Sequence, residues 1–266
     1  MTFEYWYMFP VAITVSTVAI SAGVSGATFF TPMFFLWLGL PLRAAIGAAL
    51  MTATFGFASG LSGYARRGLI DYALGARLMA PAVPMTLLGV WSAGRIDPTI
   101  LRLVLSVGLL AIAASFWQKE ADPGSENASI EPGNPSVALG EGTLFAAVGG
   151  FFLGMVSAGL GELNAYFLMK RSRMPSARAV ATSVLVLAGT CLAAAGGHLV
   201  EVLRMEPAVR SEVASLVMFT IPGVVIGAQI GCMIGSRAPR TILLRSLGVL
   251  FAIVALVIVV PLLAGR

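Results

Sequence analysis

The residues best suited to chemistry lie in one stretch, Ser157 to Asn164, which interrupts an otherwise apolar part of the chain. Its two glycines, Gly159 and Gly161, remove side-chain support and permit positive φ angles, so we expect a helix to break here. Between them and Asn164 stands Glu162. A carboxyl group at lipid depth costs at least about 2.5 kcal/mol, so Glu162 is expected to face protein or a water-filled cavity.

An earlier stretch, Ser21 to Thr28, has the same character, and its first three residues, Ser-Ala-Gly, are those of the later stretch. A helix that breaks inside a membrane offers unpaired N–H groups and a positive dipole end, which replace the water shell of an anion. Serine and threonine hydroxyls beside the break add neutral donors. The predicted substrate-binding residues are Ser21, Gly23, Ser25, Gly26, Thr28, Ser157, Gly159, Gly161 and Asn164.

The composition places both stretches in a membrane. Of the 266 residues, 58% are hydrophobic and 11% are charged, and the mean hydropathy is +0.92. These values lie outside the range of soluble domains, and several apolar runs exceed the roughly 18 residues that a spanning helix needs. We therefore predict an all-α membrane protein whose surroundings are a lipid bilayer.

Other classes of protein are disfavoured by the same sequence. The net charge of +5 comes from basic residues scattered between apolar runs, which indicates membrane orientation rather than a nucleic-acid partner. Cys191 and Cys232 lack the spacing of a disulfide framework or a zinc site. No P-loop pattern occurs, so no cofactor and no metal is expected. The first apolar run lacks the pattern of a cleaved signal peptide and is expected to be retained.

Hydropathy divides the chain into eight apolar blocks. They lie at about 8–39, 42–64, 73–94, 98–118, 142–169, 176–200, 213–235 and 241–264. The first and fifth blocks contain the glycine-rich stretches, so each is expected to form two half-helices. Acidic residues and prolines mark 119–141 as a flexible linker. The predicted organisation is a first transmembrane repeat at 1–118, the linker at 119–141 and a second repeat at 142–266.

The duplication rests on matches that keep one order through both halves. Besides the Ser-Ala-Gly pair, they are Leu40-Pro41 with Met174-Pro175, Gly63-Tyr64 with Gly197-His198, and Pro84 and Gly89 with Pro222 and Gly227. No single match is persuasive, but the shared order extends over roughly 80 residues. Duplicated halves with broken helices are a common layout of secondary transporters, which bind substrate where the repeats meet.

The positive-inside rule gives an expected orientation. Basic residues after block five, namely Lys170, Arg171, Arg173 and Arg178, indicate a cytoplasmic flank. If each block crosses the membrane once, the linker then lies outside, and Arg66 and Arg67 also fall on the outer side. Either this pair is an exception, or block one crosses an unexpected number of times.

Taken together, these features resemble the TauE/SafE family of sulfite exporters. The resemblance is carried by the glycine-rich stretch in each half, by Leu40-Pro41 followed by Ala45-Ile46-Gly47, and by the later Gly-Tyr or Gly-His and Pro-x4-Gly pairs. It implies a multi-pass permease of the bacterial inner (plasma) membrane. It also implies export of sulfite or of an organosulfonate such as sulfoacetate. A homo-oligomer is kept as an alternative to a monomer.

Two residues are candidates for proton coupling. Burial of Glu162 would raise its pKa into a useful range, but the residue also suits the first turn of a half-helix, where an acid interacts with the dipole. His198 is the sole histidine and could carry a proton, or it could be an interfacial residue beside Glu201. The sequence leaves both pairs of readings open.

A second class of function is a rhomboid-like intramembrane serine protease. Gly23-Val24-Ser25-Gly26 matches a G-x-S-G pattern, and His198 could serve as the base. The repeat argues against this reading because Ser25 aligns with Gly161. A third reading, a membrane scaffold, gives the broken helices no purpose. The predicted function is therefore secondary transport rather than catalysis.

Glycines at every fourth position predict a close helix contact near the end of block seven. They are Gly223, Gly227, Gly231 and Gly235. Such a face lets two backbones approach closely, so packing is the expected role.

Overall fold

The computed structural model describes residues 5–117, 135–159, 161, 163–164, 167–168 and 174–236. The regular secondary structure of these residues is helical. The helices are α1 (Met8–Ala22), α2 (Ala27–Leu36), α3 (Leu42–Ala65), α4 (Tyr72–Ala93), α5 (Pro98–Trp117), α6 (Pro135–Val156), α7 (Ser176–Leu203) and α8 (Pro207–Gly235). Four of them are long and apolar enough to cross a membrane: α3, α4, α7 and α8. The prediction of an all-α membrane protein is confirmed.

The first apolar block folds back on itself. Helix α1 ends at Ala22 and α2 begins at Ala27, so the break falls inside the predicted stretch. Tyr7, just before α1, contacts Trp37, just after α2, with ring centroids 5.8 Å apart. Both ends of the block therefore lie on the same side of the bundle. The block does not cross the membrane once, and this removes the reason to treat Arg66 and Arg67 as an exception.

Each interrupted block packs against a helix from the other half of the chain. Helix α1 runs parallel to α8, where the glycine face meets a row of carbonyls. Gly223, Gly227, Gly231 and Gly235 face the carbonyls of Phe9, Ile13, Thr17 and Ser21, respectively. This confirms the predicted packing role. The absent side chains let the two backbones touch.

Helix α6 runs parallel to α4 in the same manner. Gly150 and Gly154 face the carbonyls of Ala82 and Thr86, and Gly89 faces the carbonyl of Phe151. The two interrupted blocks are thus held by equivalent contacts.

Helices α3 and α7 form the centre of the bundle and run antiparallel. Gly47, near the start of α3, packs against Val202 near the end of α7. At the opposite end, the backbone N–H of Asp71 donates to Thr182 Oγ1 at 3.1 Å. The helices begin alike, each directly after a proline in an extended conformation, Pro41 and Pro175. A proline there cannot extend the helix backwards.

Two parts of the predicted organisation fall outside the described residues. They are most of the linker, at 118–134, and the last apolar block, at 241–264. The final residues of the predicted linker, from Pro135 to Glu141, belong to α6. The division into two repeats stays a prediction.

Candidate functional site

The first break is built from the end of α1 and the start of α2. Gly23 adopts a left-handed conformation with φ of 70°. Its N–H donates to the carbonyl of Ile20, and the N–H of Val24 donates to that of Ala19. This is the Schellman arrangement that ends helices, and it favours glycine at the left-handed position. Gly26 then precedes α2, in whose first turn the N–H of Thr28 donates to the carbonyl of Ser25 and those of Phe29 and Phe30 donate to the carbonyl of Gly26.

The second break follows α6 and is more strained. Ser157 has a φ of 61°, and Gly159 has a φ of 108°. A left-handed conformation costs a residue with a Cβ roughly 1–2 kcal/mol, which glycine avoids at position 159 and serine does not avoid at position 157. Strain of this kind persists where the surrounding structure holds it in place.

The two breaks meet in the structure. Thr28 Oγ1 donates to the backbone carbonyl of Ser157 at 3.2 Å, and the hydroxyls of Thr31 and Ser157 share a hydrogen bond. Gly161 lies against the first break, because a Cβ placed on it would be 2.9 Å from the nitrogen of Ser25. The predicted stretches, which are far apart in sequence, therefore form one site.

Two polar side chains at this site have no hydrogen-bond partner. Ser25 and Asn164 are both 0% exposed. The Oγ of Ser25 and both the Nδ2 and the Oδ1 of Asn164 make no hydrogen bond to the residues that the structure describes. An unpaired buried polar group costs about 1–3 kcal/mol. Unsatisfied buried groups are rare in folded proteins, so these two side chains call for an explanation.

The remaining predicted residues have different surroundings. The Ser21 hydroxyl donates to the carbonyl of Val18 within its own helix at 2.8 Å. Gly26 borders a small hollow lined mainly by apolar side chains such as Phe30, Phe57 and Val224, which does not suit an anion. Glu162 lies outside the described residues, so its role stays a prediction.

His198 is fully buried rather than interfacial, although it does lie beside Glu201. Its Nε2 is 2.8 Å from the carbonyl oxygen of Gly154. A carbonyl can only accept, so Nε2 must carry the proton of this hydrogen bond. The other ring nitrogen, Nδ1, is 3.4 Å from a carboxylate oxygen of Glu201. These two atoms make no hydrogen bond within the described residues, and through Gly154 the pair lies close to the end of α6.

The pairing that a serine protease requires is not formed. The Oγ of Ser25 makes no hydrogen bond, while His198 is bonded to Gly154. A nucleophilic serine needs its base within hydrogen-bonding reach. Nothing supports the protease reading.

Two hydroxyl groups that hold the site together were missed in the sequence. Thr31 bonds to Ser157, and Ser183 donates to the carbonyl of Gly23 at 3.1 Å. Both are fully buried. Thr31 lies just beyond the first glycine-rich stretch, in front of Pro32, so a wider window would have included it. Ser183 stands in an unremarkable part of α7, where the sequence carries no signal for it.

Comparison with known proteins gives one family match. The family model described as Sulfite exporter TauE/SafE matches residues 8–260, nearly the whole chain. A search of curated proteins found no match, and neither did a search of solved structures. The chain belongs to the TauE/SafE sulfite exporter family and is a multi-pass membrane transporter, not an enzyme.

Proposed function

We propose that the protein is a secondary exporter of a small sulfur-containing anion, sulfite or an organosulfonate such as sulfoacetate, in a bacterial inner membrane. The anion would bind where the two breaks meet. The observation that carries this proposal is the pair of buried side chains without partners, Ser25 and Asn164. Substrate binding would satisfy these groups and offset the cost of leaving them unpaired.

The chemistry of the site suits an anion with several oxygens. Ser25 supplies a hydroxyl donor, and Asn164 supplies an amide with two N–H bonds. The start of α2 adds the positive end of a helix dipole. Oxyanions present several acceptors in a compact shape, so several donors can reach one ligand.

We infer further that the two halves are repeats of opposite orientation. The support is that α3 and α7, which begin alike after Pro41 and Pro175, run antiparallel, with Gly47 near the start of α3 packed against Val202 near the end of α7. In transporters of this layout, one repeat moves against the other around a central site. The meeting point of Thr28 and Ser157 would be that centre.

Proton coupling is part of the proposal. The Nδ1 of His198 and a carboxylate oxygen of Glu201 lie 3.4 Å apart, and the hydrogen bond from His198 to the carbonyl of Gly154 joins this pair to α6. A change of protonation there could reach Ser157, which follows the end of the same helix. Glu162 is the second candidate, on its position in the sequence.

The proposal is tested with the full-length protein in liposomes. Vesicles are loaded in turn with sulfite, sulfoacetate, sulfate or chloride, and efflux is followed with and without a pH gradient. Saturable efflux of sulfite or sulfoacetate is expected, and Ser25→Ala should reduce it. Thr52→Val is the matched control, because Thr52 is equally buried but bonded to Thr220 outside the site. Equal efflux of all four anions would contradict the proposal.

A further inference from the structure

The unpaired atoms of the site include an acceptor as well as donors. Asn164 leaves both its Nδ2 and its Oδ1 without partners, and Ser25 leaves its hydroxyl unpaired. All three atoms belong to side chains with 0% exposure. A fully deprotonated anion could accept from Nδ2 and from the hydroxyl, but it has no hydrogen to offer Oδ1. An anion oxygen near Oδ1 would be repelled, so the acceptor argues for a ligand that also donates.

The scarcity of positive charge around the site also favours a ligand that keeps a proton. Neither 21–42 nor 157–169 contains a lysine or an arginine. Among the described contacts of the two breaks, the neighbouring side chains are neutral: Thr31, Phe152, Val180 and Ser183. The cost of moving an ion out of water is high unless an opposite charge accompanies it, and it grows with the square of the charge. A site whose described neighbours are neutral therefore favours one negative charge over two.

We propose that this site takes its substrate as a singly charged oxyanion that keeps one O–H group, such as hydrogensulfite or sulfoacetate with its carboxyl group protonated. The O–H group donates to Asn164 Oδ1, while other oxygens accept from Asn164 Nδ2 and Ser25 Oγ. The proton then crosses the membrane on the substrate and is separate from any proton held by His198 or Glu162. This inference rests on the proposed function and specifies the form of its substrate.

The first test measures the KM for sulfite in liposomes with the same pH on both sides. If only hydrogensulfite binds, the KM expressed as total sulfite rises about tenfold for each pH unit above the pKa of hydrogensulfite. A KM that stays constant across that range overturns the inference.

Methanesulfinate serves as the competitor, because it matches hydrogensulfite in charge and shape but has a methyl group in place of O–H. It should bind at least about tenfold more weakly, as expected when a buried acceptor is left unpaired. Competition as strong as that of hydrogensulfite overturns the inference. Methanesulfinate does not titrate in this range, so any change of its inhibition constant with pH measures the protein's own titration and is used to correct the KM for sulfite.

A second test separates ligand binding from a structural role for Asn164. Asn164→Leu replaces two unpaired polar groups with an apolar group of similar size, so the Tm of the empty protein should rise. The increase in Tm that sulfite causes in the unsubstituted protein should disappear. A lower Tm of the empty variant would show that Asn164 supports the fold and would overturn the inference.

Thr52→Val is the control for this test. It removes a satisfied hydrogen bond to Thr220, so it should lower the Tm and keep the increase caused by sulfite. The inference and the proposed function can fail separately. Absence of saturable flux for every sulfur anion defeats the function, whereas sulfite flux with a pH-independent KM defeats only the protonated form of the substrate.

Discussion

Gly161 packs directly against the backbone of Ser25. A Cβ at Gly161 would lie 2.9 Å from the Ser25 nitrogen and 3.1 Å from the carbonyl oxygen of Gly23. These atoms belong to the backbone of the other break and cannot turn aside as a flexible side chain would. The distance between the two breaks therefore depends on the absence of a side chain at this position.

Gly161→Ala should force the breaks apart. We expect a loss of about 1–3 kcal/mol in the free energy of unfolding, as for other overpacked sites, together with a strong loss of sulfite efflux. Gly196→Ala is the control, since that helical glycine has no neighbour within 4 Å. The control should gain roughly 0.5–1 kcal/mol from its better helix propensity. Equal behaviour of the two variants would contradict this account.

Ser157 allows the strain of the second break to be measured. Ser157→Gly and Ser157→Ala both remove the hydroxyl that bonds to Thr31, but only glycine relieves the positive φ of 61°. The glycine variant should be more stable than the alanine variant by roughly 1 kcal/mol. Thermal unfolding of the two variants in detergent gives the difference. Equal stability of the alanine and glycine variants would mean that the backbone at Ser157 is unstrained.

His198 should contribute to stability as well as to coupling. His198→Leu leaves the buried carbonyl of Gly154 without its donor, at an expected cost of about 1–3 kcal/mol in the free energy of unfolding. His198→Gln keeps a donor but removes the ionisable ring beside Glu201. The glutamine variant should therefore fold and transport, with a weaker response of efflux to a pH gradient. An unchanged response would remove His198 from the coupling mechanism.

Glu162 is tested in the same assay. Glu162→Gln keeps the size of the side chain and removes its titratable group, so it should uncouple sulfite efflux from the pH gradient while leaving the protein folded. The comparison needs equal amounts of reconstituted protein. If coupling is the same in this variant, Glu162 acts only on the helix that follows it.

The contact between Tyr7 and Trp37 predicts that the two ends of the first apolar block face the same side of the membrane. A single cysteine at Trp6 or at Pro41 should react with an impermeant thiol reagent from one side, and one at Arg66 from the opposite side. The reason is that α3 crosses the bundle between Leu42 and Ala65. The positive-inside rule makes the Arg66 side cytoplasmic.

The experiment uses a background in which the two buried native cysteines, Cys191 and Cys232, are replaced. Right-side-out and inverted vesicles are compared. Labelling of Pro41→Cys and Arg66→Cys from the same side would refute this orientation.

The positions of the breaks could be predicted from sequence because glycine acts locally. Gly23 and Gly159 both adopt the positive φ for which glycine is suited. The glycine face around Gly227 was equally readable, since its spacing places the residues on one side of a helix. Each of these features depends on a residue type and on its near neighbours.

Other features could not be read in this way because they depend on direction and on distant partners. Hydropathy measures the length of an apolar block, so it does not reveal that the first block turns back at Gly23. The single histidine was easy to find, but its bond to Gly154 depends on how α6 and α7 pack. The unpaired state of Asn164 likewise depends on every neighbour that fails to reach it.

The contacts of α1 with α8, and of α6 with α4, also bear on how the polypeptide assembles. Each half contributes an interrupted block that packs against a helix of the other half. We therefore expect that neither half folds completely when it is produced alone. Severing the chain between Lys119 and Pro135 and producing both pieces in one cell should nevertheless restore a working exporter, because the glycine-to-carbonyl contacts of α1 with α8 and of α6 with α4 would join the two pieces.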